Sequence, residues 1–74
     1  METVEQLKRR LDSIRSQRLS IRDQISNLYN EMNNAPPERR EMIGDEITRL
    51  MDLDAQLATK EDEIRAKLEE IGEQ

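Results

Sequence analysis

The sequence predicts an all-α protein, an antiparallel two-helix hairpin packed as a coiled coil and expected to pair with a second copy as a homodimeric four-helix bundle. Three observations predict it. Apolar residues recur at heptad spacing in two separate runs, the stretch Asn33 to Pro37 breaks the chain between them, and the two halves carry opposite charge biases. Residues 1–74 are expected to form one domain, with helix one over about 3–33, a turn over about 33–37 and helix two over about 37–71.

The first run is Val4, Leu7, Leu11, Ile14, Arg18, Ile21, Ile25, Leu28 and Met32, in alternating steps of 3 and 4. That spacing averages the period of a helix packed along its length against another in a left-handed coiled coil. Thr3 followed three residues later by Gln6 has the form of a capping box, which starts the helix. No Gly or Pro interrupts it before Asn33.

Asn33 and Asn34 suit a helix end, since Asn tolerates the left-handed conformation, and Pro36 pushes Ala35 out of the helical region. Pro37 fits the first turn of a new helix, where Glu38 and Glu41 meet a favourable dipole. So short a connection implies antiparallel neighbours. The second run, Ile43, Ile47, Leu50, Asp54, Leu57, Glu61, Ile64, Leu68 and Ile71, repeats the same alternation. Gly72 is expected to end the helix, leaving two frayed residues. Helices of about 30 residues imply a hairpin roughly 45 Å long.

Composition narrows the function classes. Charged residues make up 39% and hydrophobic ones 34%, and Tyr29 is the only aromatic. Such a balance is shared with disordered chains, but here the apolar residues are periodic and most of the others are good helix formers. There is no Cys and no His. That removes disulfides, the usual zinc ligand sets and the commonest general base, so no metal, no cofactor, no catalytic residue and no enzymatic activity are expected. No apolar run approaches a membrane span or a signal-peptide core, which makes a cytoplasmic protein the expectation.

Residues 1–34 hold six Lys/Arg and five Asp/Glu, whereas residues 35–74 hold six and twelve. Opposite biases draw the halves together. Three polar residues interrupt the seams. Folding the chain at residue 35 or 36 places Arg18 near Asp54, with Glu61 one layer away as the second candidate. A charge in a helix seam is costly unless paired, and its best-attested use is to set register.

Three further groups are candidates for recognition. Gly44, Met51 and Ala58 at heptad position e of helix two, with Leu53 alongside, would widen the seam into a bundle face. Glu61, Asp62, Glu63, Glu69 and Glu70 would form an acidic face for a basic partner. Lys8, Arg15 and Arg22 repeat every seven residues as a basic stripe. The expected function is a non-enzymatic protein-interaction module, an assembly adaptor, small chaperone or inhibitor, whose partners are itself and a further protein. The alternative is a small helical-hairpin nucleic-acid regulator using the basic stripe, weakened by the absence of stacking aromatics and the net charge of −5.

Overall fold

The computed structural model describes residues 2–72. Within them the chain is two packed α-helices, α1 (Val4–Asn33) and α2 (Pro37–Ile71), with no strand among the described residues. Residues 73 and 74, expected to fray, lie outside the described residues.

Each helix end has an identifiable cause. At the start of α1 the Thr3 hydroxyl accepts from the Gln6 backbone N–H at 3.1 Å, and the Gln6 side-chain carbonyl accepts from the Thr3 N–H at 2.9 Å. This reciprocal box satisfies two of the otherwise orphaned donors of the first turn. The end of α1 differs from the expectation. Asn34 sits at φ −110°, ψ 5° rather than in the left-handed region, and its side-chain amide donates back to the Asn30 carbonyl at 3.2 Å. That local bond satisfies a terminal carbonyl without a left-handed residue. Left-handed geometry appears instead at Gly72, φ 88°, whose N–H caps the end of α2 on the Glu69 carbonyl at 3.0 Å.

The turn is held from both sides. Ala35 is buried, and its carbonyl accepts from the Arg40 side chain at 2.8 Å. Arg39 donates across the turn to Glu31 at 3.1 Å. Pro36 and Pro37 open α2 without a side-chain cap, Pro37 having no N–H to leave unsatisfied.

The core is one stripe with two overlapping parts. Leu7, Leu11, Ile14 and Ile21 of α1 pack with Leu50, Leu57, Ile64 and Leu68 of α2. Towards the turn Ile43 and Ile47 close over Ala35, bridged by Ile25, Leu28 and Met32. One seam residue is left out: Ile71 is 53% exposed. Helix α2 is 35 residues against 30 in α1, so its last turn extends beyond the start of α1 at Val4. The molecule is 52 Å long by 16 by 14 Å, longer than the seam alone implied because α2 sets the length.

Candidate functional site

The seam charges converge midway along the hairpin. The Arg18 guanidinium grips Asp54 in a two-point fork, Nε to Oδ1 at 2.9 Å and Nη2 to Oδ2 at 3.3 Å. Its remaining arm, Nη1, donates to Glu61 Oε1 at 3.1 Å. A helical side chain leans towards the N-terminus of its own helix. In an antiparallel pair that tilts Arg18 from the Asp54 layer towards Glu61, while Glu61 tilts to meet it. The two acids a heptad apart are therefore joint partners of one cation and not alternatives.

Glu61 is the more enclosed acid, 7% exposed. Its second oxygen lies 3.3 Å from Arg65 and 3.7 Å from Arg15. Burial alone pushes its carboxyl up, but the Arg18 hydrogen bond and the fields of Arg65, Arg18 and Arg15 outweigh that, and the net shift is down. Asp54 is also held low, first by its bond to Arg18, against some desolvation, and further by the charges of Arg18 and Arg22. Arg18 is correspondingly pushed up by Asp54 and then Glu61. A carboxyl held low stays ionised and is a poor proton donor near neutral pH. No buried side-chain N or O lacks a partner among the described residues, and no cluster of acids among them could hold a metal ion.

The structure regroups the other candidate residues. Glu61 belongs to the seam and drops out of the acidic face, whereas Asp62, Glu63, Glu69 and Glu70 are exposed on the outward side of α2. Of the basic stripe, Arg15 reaches Glu61 and Arg22 lies in the field of Asp54. The stripe is thus partly neutralised by the seam acids it borders. The sequence offered a signal for one missed member of the cluster, since Arg65 follows Glu61 at the helical i+4 spacing.

The proposed bundle face also divides. Met51 and Leu53 are two residues apart, about 200° around a helix. Gly44, Met51 and Ala58 border α1 on the side of Lys8, Arg15, Arg22 and Tyr29, and Gly44 meets the tip of Met32 there. Leu53 lies on the other flank, among the residues that include the Arg39–Glu31 and Lys67–Glu2 pairs. Two exposed side chains join the first flank, Leu19 at 62% and Tyr29 at 46%. Leu19 stands off the 3–4 seam, so periodicity alone gave no reason to single it out.

No protein-family model, curated protein or solved structure matches the chain. Among the described residues no helix is long and apolar enough to cross a membrane.

Proposed function

We propose that this chain is a non-enzymatic protein-interaction module that assembles as a homodimeric four-helix bundle and offers an acidic outer face to a basic protein partner. The observation that carries the reading is the outward sector of α2 near its C-terminal end. There Asp62, Glu63, Glu69 and Glu70 are all exposed, whereas the seam charges are spent on one another. An exposed field of one sign speeds encounter with a surface of the other. The dimer rests on economy of burial: an isolated two-helix stripe is narrow, and a four-helix core buries more of each helix.

Against nucleic acid as the partner weigh the net charge of −5 and the contact of Arg15 with Glu61. The test is affinity capture on the immobilised full chain, with Asp62, Glu63, Glu69 and Glu70 each changed to Lys in a second sample. A protein retained at low salt, released at high salt and lost from the charge-reversed chain fits the reading. Retention of RNA or DNA that depends on Arg15 and Arg22 instead would replace it.

A further inference from the structure

We propose that the flank bearing Leu19 and Met51 is where a second copy of this chain docks, with a two-fold axis beside Leu19 and the two turns at opposite ends of the bundle. The proposal rests on the dimer reading above and adds its face, orientation and axis.

The two flanks of the seam are unequal. One exposes Leu19 and Met51, at 62% and 45%, at mid-length with Ala55 and Ala58 beside them; the other exposes Leu53 at mid-length among charged and amide side chains, and Met42 far from it near the turn. The apolar patch lies at mid-length, in the layer of the Arg18–Asp54 fork. A patch at the midpoint lets two identical hairpins overlap over their whole length about a two-fold axis. The whole hairpin extends 52 by 16 Å, so a flank engaged along its full length has the scale of the ~800 Å² per partner that stable interfaces bury.

Charge decides the occupant and its orientation. The outward strip of α2 is acidic (Glu38, Asp45, Asp52, Glu63 and Glu70 against Arg49), and two copies would repel there. On the docking flank the cations Lys8, Arg15 and Arg22 of α1 alternate with the acids Glu5 and Asp12, and α2 adds Arg65 and Glu41, leaving the face near neutral; Asp62 and Glu69 stand at its edge, where it meets the outward acidic sector. With both turns at one end, α1 would lie on α2 of the second copy in matching layers. Lys8 would then face Arg65, and Asp12 would face Asp62, which sets like on like. With turns at opposite ends, α1 lies on α1 and α2 on α2. Leu19 then meets its own copy, Met51 packs on the small Ala55, and Arg65 reaches Glu41. Arg15 and Arg22 approach across the axis, but each already faces a carboxylate of its own seam, Glu61 and Asp54 respectively.

The test uses the full chain, which has no native Cys. Leu19→Cys is oxidised and scored for covalent dimer beside Ser20→Cys, whose side chain faces away from the patch. Solution mass and helicity are measured for wild type, Leu19→Asp, Met51→Asp and Leu53→Asp. The expected result is a wild-type dimer, rapid cross-linking of Leu19→Cys only, and dimerisation weakened roughly tenfold or more by Asp at 19 or 51. Helicity should be retained and Leu53→Asp should remain dimeric. A dimer indifferent to Asp at 19 and 51 overturns this face and leaves the dimer reading standing. Sensitivity to both without cross-linking at 19 overturns the axis. A wild-type monomer overturns the dimer reading and this proposal together.

Discussion

Arg18 is the residue on which the seam turns, because one guanidinium satisfies two carboxylates on the facing helix. Removing it leaves Asp54 and Glu61 in a half-buried seam facing each other's charge, whereas removing the acid with it relieves much of that cost. Arg18→Leu should therefore lower the melting temperature more than Arg18→Leu with Asp54→Leu, read by thermal circular dichroism at neutral pH. Equal losses would mean the fork contributes no pairing. The same contacts set a pH dependence. Asp54 and Glu61 are held below their ordinary values of 3.8 and 4.5, so the stabilisation is complete above that range and is lost as pH falls through the lowered values. Half-buried Glu2 and Glu46, lowered chiefly by Arg10 and Arg49, add in the same direction. The melting temperature should be level from neutral pH down to about pH 5 and fall below it. Arg18→Leu should flatten that fall.

At the scale of the helix, burial separates residues that look equivalent in the seam pattern. Ile64 is 2% exposed and Ile71 is 53% exposed, though both occupy the same heptad position. Ile64→Ala should cost about 2–5 kcal/mol, the range for a filled core site, while Ile71→Ala should stay within about 0.5 kcal/mol. Urea unfolding of the two variants checks the contrast. The start of α1 is held by the reciprocal Thr3–Gln6 box, so Thr3→Ala should cost about 1 kcal/mol and increase hydrogen exchange in the first turn. The beginning of α2 relies on Pro36 and Pro37 and has no comparable side-chain cap.

For the whole molecule, charge predicts opposite salt responses for the two proposed associations. Two copies each carrying −5 repel at long range, and their docking faces are near neutral, so salt should tighten the dimer by screening. Binding of a basic partner to the acidic sector should weaken under the same change. Sedimentation velocity on the chain alone, at low and high salt, checks the first. A dimer that loosens with salt would mean that cross-interface ion pairs outweigh the net repulsion.

The heptad spacing and the Asn-Asn-Ala-Pro-Pro break determined by themselves that there are two helices, roughly where each begins and ends, and which stripe of each is buried. Those features are local: a 3–4 period, a capping box and a proline pair act within a few residues of themselves. The tertiary structure decided what depends on distance across the hairpin. It made Asp54 and Glu61 joint partners of Arg18, because antiparallel side chains lean towards one another along the axis. Ile71 was left bare by the unequal helix lengths, and Ala35 was buried under the turn. Met51 and Leu53 were sent to opposite flanks of one seam, so that Leu19, which no periodicity marked, became the centre of the broader apolar patch.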